Sequence, residues 1–345
     1  MADLSAVGGV ELQNLQTMMT FMKHFLFTSS VSAHIGAVLQ ACRAGALGFA
    51  LASILSTNLS AADTGRTFAT PEEAVAALSR AVQSTNRADL RALFGPAADD
   101  LVNPDAVQAT NEFAAFAVTF NNSHRIVRQS DTRAGLEVGP NNWPFPVPLV
   151  RKDAQWFFDT EAGSQEIINR RIGRNELAAL DTARAYVHAQ REYASRDRDG
   201  DDVLEYAQNI LSTPGQKDGL YWPPEPDGEI SPLGPLVAAA QGEGYMKSTG
   251  ERSGPRPFHG YYFKILTRQG QNAPGGRYDY VINGNMIGGF ALVAWPAEYG
   301  ESGIMTFTVN QQGRVYQSDL GPQTAKTVGK MKAYDPDKTW TISPD

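Results

Sequence analysis

One stretch of the chain, residues 173–205, constrains the possible folds more than any other. It begins as a long amphipathic helix, predicted over residues 175–195, in which apolar side chains recur at the 3.6-residue period of an α-helix. It ends in an acidic loop that contains a glycine. A helix of this kind buries only one face, so the pattern predicts a helix packed against a sheet.

The acidic loop places carboxylates at alternate positions, and calcium prefers about six to eight oxygen ligands from such a loop. The first three carboxylates match the first, third and fifth ligands of an EF-hand loop. Asp202 then stands where that loop has glycine, and Gln208 stands where it has glutamate. Two interpretations stay open, a calcium site and a solvated acidic turn that caps the helix. The residues of the candidate metal site are Asp197, Asp199, Asp201 and Glu205.

Charge and histidine spacing narrow the classes of function. The net charge is −7 at pH 7, and no basic cluster interrupts the acidic balance. This argues against binding to the phosphates of nucleic acids. His124, His188 and His259 are isolated from one another in sequence, and none has the spacing of a zinc site. The sequence contains no assembled catalytic set, which favours a non-enzymatic protein.

The first 62 residues predict a leader that is not part of the folded protein. An apolar run follows Arg43 and gives way to small residues that end at Ala62, which is the form of a secretory signal peptide. Polar residues interrupt the run too early for a membrane span. We therefore expect a periplasmic or secreted protein, cleaved near Ala62, with no membrane span in the mature chain. An ordinary buried helix is the alternative interpretation of this run.

Cys42 is the only cysteine in the chain. Cleavage near Ala62 would remove it, so the mature protein would contain no disulfide. The residues that precede Cys42 also resemble a lipoprotein processing site. Lipidation at Cys42 is the minor alternative, because the apolar run that follows it differs from the polar tether usual in lipoproteins.

Two α+β domains are predicted, at residues 63–170 and 171–345. In the first, Thr70 and Pro71 open a helix as N-cap and first helical residue. Two more helices and an antiparallel meander follow, with turns at residues 141–142 and 153–154. This pattern is similar to the cone-shaped fold of the nuclear-transport-factor-two type. In the second, the long helix precedes an antiparallel sheet with strands predicted between residues 260 and 317. Further helical segments are expected over residues 160–171, before the long helix, and over residues 205–211 and 233–243 after it. A largely polar tail ends the chain.

Aromatic residues cluster in the C-terminal half, close to glycines. Side chains of this type can form a binding surface for a glycan or a peptide. The alternative is that they form the core and the edge cover of the sheet. The residues of the candidate binding surface are Trp222, His259, Tyr262, Trp295 and Tyr299.

Several strings of the sequence resemble the bacterial domain-of-unknown-function family 2950. They include F-A-T-P-E-E-A-V from Phe68, W-P-F-P-V-P-L-V from Trp143 and M-I-G-G-F-A-L-V-A-W-P from Met286. The resemblance covers residue 67 to the C-terminus. It implies an exported bacterial protein and implies no activity, because the family has no established one.

The C-terminal half also resembles the globular domain of type II secretion pseudopilins. The segment Y-G-x-S-G-x-x-x-F, from Tyr299 to Phe307, carries this resemblance, together with a later glycine turn and Asp319. Pilins have an apolar helix directly before this domain, whereas here a soluble domain stands in that place. The difference argues against filament assembly of the usual kind.

These observations predict an exported envelope protein that acts as a binding or structural module, with a candidate calcium loop. Its partner would be a protein or a glycan of the cell envelope. One alternative is an envelope hydrolase or glycan-processing enzyme that uses carboxylates. Another is a subunit of a filament or of a secretion assembly.

Overall fold

The structure, a computed structural model, describes residues 65–84, 86–198, 200–224, 228–245 and 256–344. The predicted leader over residues 1–62, with the cleavage site near Ala62 and the lipidation alternative at Cys42, lies outside these residues. The described residues belong to one compact unit. No helix within them is both long and apolar enough to cross a membrane.

Side-chain caps fix where the first helices begin. The Thr70 hydroxyl accepts a hydrogen bond from the Glu73 backbone N–H, and the Glu73 carboxylate accepts one from the Ala69 N–H. This reciprocal pair satisfies amides that the first turn of a helix leaves unbonded. Asn86 and Asp105 cap the next two α-helices in a similar way. The helical elements are α1 (Pro71–Ser84), α2 (Arg87–Phe94), a short 3₁₀ helix (Pro96–Leu101) and α3 (Ala106–Asn122).

An antiparallel sheet follows, as the meander predicted. Its strands are β1 (His124–Ser130), β2 (Arg133–Val138), β3 (Trp143–Pro144), β4 (Leu149–Lys152) and β5 (Gln155–Phe158). The order is β1-β2-β4-β5, and β3 pairs with β2 beside β4. Asn142 and Asp153 have positive φ angles of 53° and 50°, which matches the predicted turns.

The first hydrophobic core fills the space between these helices and the sheet. Phe94 of α2 packs against Phe158 of β5, with ring centroids 5.2 Å apart. Phe120 of α3 is fully buried beside them in the same cluster. The predicted three-helix and meander arrangement of this half is therefore present.

One helix of 34 residues, α4 (Thr160–Tyr193), then runs without a break. The sequence predicted it as two pieces that end and restart around Gly173. Asp159 caps its start, and no proline interrupts it. The glycine is accommodated inside the helix because packing on both sides of it outweighs a propensity cost of about 1 kcal/mol.

The segment after α4 corrects one expectation. Residues 205–211 do not form a helix; instead β6 (Asn209–Leu211) pairs in parallel with β7 (Gly219–Tyr221). The backbone here is held by tertiary bonds, for example from the Ala207 N–H to the Gln190 side chain. The predicted helix near residue 233 is confirmed as α5 (Gly234–Glu243).

The second sheet has five antiparallel strands: β8 (Tyr261–Leu266), β13 (Ala291–Pro296), β14 (Met305–Asn310), β15 (Tyr316–Asp319) and β16 (Thr341–Ile342). Their order across the sheet is β16-β15-β14-β13-β8. Between β8 and β13 lie the short pairs β9 (Arg268–Gln269) with β10 (Tyr278–Asp279) and β11 (Val281–Ile282) with β12 (Asn285–Met286). The tail holds α6 (Thr324–Lys330), which the sequence did not predict.

The second core forms where α4 and α6 pack on this sheet. Tyr186 of α4 lies edge-on against Phe290, at 5.6 Å between ring centroids, and its hydroxyl donates to the Ala291 carbonyl. The chain is thus an α+β protein with helices and antiparallel sheets, as predicted. The proposed boundary between residues 170 and 171 falls inside α4, and the division into two domains stays a prediction.

Candidate functional site

Two predicted binding residues, Tyr262 and Trp295, meet at the open edge of the second sheet. They are directly paired across β8 and β13, and β8 is the outermost strand on its side. Their ring centroids lie 5.7 Å apart with an angle of 38° between the rings. Both side chains are partly exposed. The strand register therefore produces an aromatic platform that solvent reaches.

The polar tips of this pair are open. Among the hydrogen bonds of the described residues, neither the Tyr262 hydroxyl nor the Trp295 indole N–H has a partner. The nearest charge on the same face of β8 is Lys264, two residues along the strand. Its ammonium donates to the carbonyls of Val328 and Met331, at 3.3 and 2.7 Å, at the end of α6. The platform thus combines apolar faces with free donors and a lysine that is already engaged.

Tyr299 lies at the same end of the sheet, in the turn between β13 and β14. Its hydroxyl donates to the carboxylate of Asp319, at 3.0 Å. Burial and the adjacent Asp319 carboxylate raise the pKa of Tyr299 above its ordinary value. Its hydroxyl therefore ties the turn to β15.

Trp222 is placed elsewhere, inside the segment between α4 and α5. It is only 4% exposed, and its indole N–H donates to the Glu229 carbonyl. The guanidinium of Arg198 and the ammonium of Lys217 lie 5.8 and 5.4 Å from its ring. The Glu229 carboxylate accepts from Arg198 at 3.0 Å. Trp222 thus closes a small cation-lined core and does not join the platform.

His259 belongs to a junction between the two halves of the structure. Its Nδ1 lies 3.0 Å from the Gln108 amide nitrogen, and its Nε2 lies 3.1 Å from the Glu243 carboxylate. If the amide of Gln108 donates, Nδ1 is the acceptor and Nε2 carries the proton. His259 also has a φ of 47°, and Gly260 follows it at 71°. Both ring nitrogens face protein groups at the junction.

The junction is a chain of buried amides that the sequence analysis missed. Asn103 donates to Gln108, Gln108 donates to Asn175, and Asn175 donates to the Ser302 carbonyl, at 2.8, 3.2 and 2.9 Å. These bonds tie α3 and α4 to the turn after β13. Amides on helices predicted to be amphipathic give no periodic signal, so only the tertiary structure identifies them.

A buried arginine reinforces the same junction. Arg171 is 2% exposed and donates to the Val102 carbonyl at 3.1 Å. It also pairs with the Glu301 carboxylate at 3.4 Å. Burial lowers the pKa of the guanidinium below its ordinary value, although the charges of Glu112 and Glu301 oppose this effect. Through the hydrogen bond and the ion pair together, Arg171 of α4 joins the end of the 3₁₀ helix to the turn that contains Ser302.

The carboxylates of the predicted metal site bind backbone and amide donors in the structure. Asp197 accepts from the Gly200 and Asp202 N–H groups, at 2.7 and 3.0 Å. Asp201 accepts from the Asn285 side chain and Glu205 from the Met286 N–H. The bonds of Asp197 close the loop on itself, and those of Asp201 and Glu205 attach it to the hairpin of β11 and β12.

Asp199, the fourth member of the predicted metal site, lies outside the described residues. Among the residues that are described, no group of three or more metal-ligating side chains is arranged to hold an ion. The calcium site stays a prediction, because one of its four carboxylates is not described.

The fold and these sites define the class of the molecule as an α+β protein with a solvent-facing aromatic platform. A family model described as "Protein of unknown function (DUF2950)" matches residues 65–342. The chain belongs to this family, as the sequence resemblance predicted. No curated protein and no solved structure matches the chain. The resemblance to pseudopilins stays a prediction.

Proposed function

We propose that this chain is an exported protein of the bacterial envelope that binds an envelope glycan without chemically changing it. Tyr262 and Trp295 are the proposed binding residues. The observation that carries the proposal is their geometry: two adjacent, partly exposed rings at a sheet edge, paired in register, with free polar tips.

The chemistry of the platform favours a sugar. The apolar faces of sugar rings pack on aromatic rings, and sugar hydroxyls can accept from an indole N–H or a phenol O–H. An anionic ligand would find no free cation on this face of β8, because Lys264 already donates to the carbonyls at the end of α6. A neutral stretch of glycan therefore fits better than an acidic peptide.

The proposal includes the wider organisation of the protein. A leader cleaved near Ala62 would deliver the chain to the periplasm or the medium. Residues 63–170 would form a cone-like domain, and residues 171–345 would form a pilin-like domain that carries the platform. Two cores, each beneath its own sheet, support this division.

Calcium would add rigidity to the acidic loop, next to the hairpin of β11 and β12. The supporting observation is that Asp201 and Glu205 already face the same hairpin. Calorimetric titration of the full chain with calcium tests this part of the proposal. Binding that disappears in an Asp199→Ala, Asp201→Ala double variant would support it, and a folded protein that binds no calcium would refute it.

One observation keeps the hydrolase alternative in view. Glu137 and Glu166 line the same cavity in the N-terminal half. Glycoside hydrolysis requires two carboxyl groups on opposite sides of the scissile bond, one of which carries a proton. Here each carboxylate is held by an arginine, Glu137 by Arg125 and Glu166 by Arg170. This pairing suits a structural role better than proton donation.

Calorimetry with soluble peptidoglycan fragments tests the proposed function. We expect the full chain to bind the fragments and the Trp295→Ala variant to bind roughly tenfold more weakly or worse, because stacking on an indole is lost. Trp143→Ala is the matched control, since Trp143 is 44% exposed but lies on the first sheet.

A third variant and a chromatographic assay complete this experiment. Trp295→Phe keeps an aromatic face and should retain part of the affinity, which separates stacking from loss of the fold. Chromatography of the fragments after incubation tests the absence of turnover. Equal binding by Trp295→Ala and the unaltered protein would refute the platform, and turnover abolished by one substitution would refute the non-catalytic role.

A further inference from the structure

A break in the first sheet creates a cavity that is distinct from the aromatic platform. Strand β2 pairs with β4 at Arg133 and Ala134 and with β3 at Glu137 and Val138. The Phe145 N–H still donates to the Leu136 carbonyl of β2, and residues 146–148 then leave the ladder. The resulting cavity has a volume of about 320 Å³ and is also lined by the first turns of α4.

The lining of this cavity combines apolar residues with four polar ones, Gln129, Arg133, Glu137 and Glu166. Val127 and Gly135 form part of the floor, and Phe145, Pro146 and Pro148 form a wall. A proline has no N–H to donate, so this wall offers mainly hydrocarbon surface. The volume corresponds to about ten water-sized groups. A small organic molecule would fit, with its apolar part against the proline wall and its polar part against the charged side of the lining.

One charge in the lining has no opposite partner. Glu137 pairs with Arg125 at 2.6 Å, and Glu166 pairs with Arg170 at 2.7 Å. Arg133 donates from Nε to the Gln129 side chain, at 3.2 Å. Within the described part of the chain, no carboxylate lies within ion-pair distance of Arg133. The end of its guanidinium is therefore available to an anion from solution.

From this arrangement we infer that the cavity is a binding site for a small organic carboxylate of about ten non-hydrogen atoms with an apolar body. Arg133 would hold the carboxylate through two parallel N–H donors, the geometry that a guanidinium offers to a planar anion. Gln129 would fix the guanidinium, and the apolar body would lie along Gly135 and the proline wall.

Gly135 contributes by the side chain that it lacks. A Cβ at this position would lie 3.3 Å from the Gln129 amide nitrogen and 4.0 Å from the Val127 carbonyl oxygen. The nearest atom is the end of a flexible side chain, so a larger residue can be accommodated in the fold. Valine would nevertheless occupy the floor of the cavity and displace the glutamine that positions Arg133.

The test is a binding titration of the full chain, by calorimetry or by NMR, with phenylacetate and 4-methylpentanoate as probes. The matched uncharged probes are phenylacetamide and 4-methylpentanamide. We expect at least one carboxylate to bind, its amide to bind at least tenfold more weakly, and Arg133→Gln to remove that difference. Gly135→Val should abolish binding of the carboxylate and of its amide.

Arg151→Gln is the control variant. Arg151 is an exposed arginine on the neighbouring strand β4, without a carboxylate partner among the described residues, and it does not line the cavity. The affinity of the Arg151→Gln variant for the carboxylate should equal that of the unaltered protein. The inference is overturned if no carboxylate binds, if the amides bind equally well, or if Arg133→Gln and Arg151→Gln behave alike. Circular dichroism confirms that each variant is folded.

Discussion

Single residues hold the junction between the two halves, and Arg171 is the clearest case. The sequence places two adjacent arginines, Arg170 and Arg171, on one helix, and nothing in the pattern says which is buried. The structure exposes the first to Glu166 and buries the second beneath the Val102 carbonyl. Burial of this kind depends on which elements meet over the helix, which is a tertiary property.

Replacing Arg171 with methionine should destabilise the protein by about 2–4 kcal/mol. The substitution leaves the Val102 carbonyl without its donor and removes the ion pair with Glu301. Arg174→Met is the control, because Arg174 is about half exposed and pairs with Glu112 on the surface, where such a pair contributes less than about 1 kcal/mol. Urea unfolding measures the stability of both variants. Equal midpoints for the two would contradict the structural role assigned to Arg171.

Unlike the burial of Arg171, the residues of the aromatic platform could be named from the sequence. Alternation in the strands was enough to predict that Tyr262 and Trp295 belong to sheet strands, and both were named as candidate binding residues. The sequence could not say that Trp222 and His259 lie away from them. That separation depends on the segment between α4 and β8, which contains short, weakly patterned elements.

At the scale of elements, the long helix α4 joins both halves, and its two internal glycines have different surroundings. A Cβ at Gly163 would lie 2.6 and 2.8 Å from two atoms of Val147. A Cβ at Gly173 would meet nothing within 4 Å. The first glycine is therefore required by the close packing of the helix on residue 147, and the second is not.

Alanine substitutions at these glycines should act in opposite directions. Gly173→Ala should stabilise the protein by about 1 kcal/mol, because alanine is the better helix former. Gly163→Ala should destabilise it by about 1–3 kcal/mol, because overpacking against Val147 outweighs the same gain in propensity. Thermal unfolding of the two variants checks the signs. A stabilising Gly163→Ala would show that the helix does not pack as described.

Local sequence signals account for the elements that were predicted correctly. The cap at Thr70 and Pro71, the turns at Asn142 and Asp153, and the alternating strands act within a few residues, so sequence alone reveals them. Residues 205–211 form no helix because β6 finds β7 as a partner. Helix α6 escaped prediction because its seven residues are too few for a periodic pattern.

For the whole molecule, buried tyrosines determine how stability responds to alkaline pH. Burial raises the pKa of each of four core tyrosines above the ordinary value of 10.0. The unfolded chain therefore loses phenolic protons at a lower pH than the folded protein does. Their contribution is fully present below pH 10 and is lost as the pH rises above it. The four are Tyr186, Tyr261, Tyr280 and Tyr334.

Unfolding free energy should thus fall above pH 10, by up to about 1.4 kcal/mol for each buried tyrosine and each pH unit. The part of the tyrosinate absorbance that the Tyr334→Phe substitution removes should appear together with unfolding and not before it. Tyr334→Phe keeps the ring and removes one titrating group, so its slope should be shallower. A core that titrates at pH 10 while still folded would contradict the burial described here.

We propose that the molecule is a binding protein, and the five tryptophans of the chain allow a direct test. An NMR titration of the full chain with soluble peptidoglycan fragments follows the five indole N–H signals, assigned by single substitutions. We expect the Trp295 signal to shift progressively and to saturate while the Trp143 and Trp222 signals stay in place. An unchanged Trp295 signal at saturating glycan would contradict the claim.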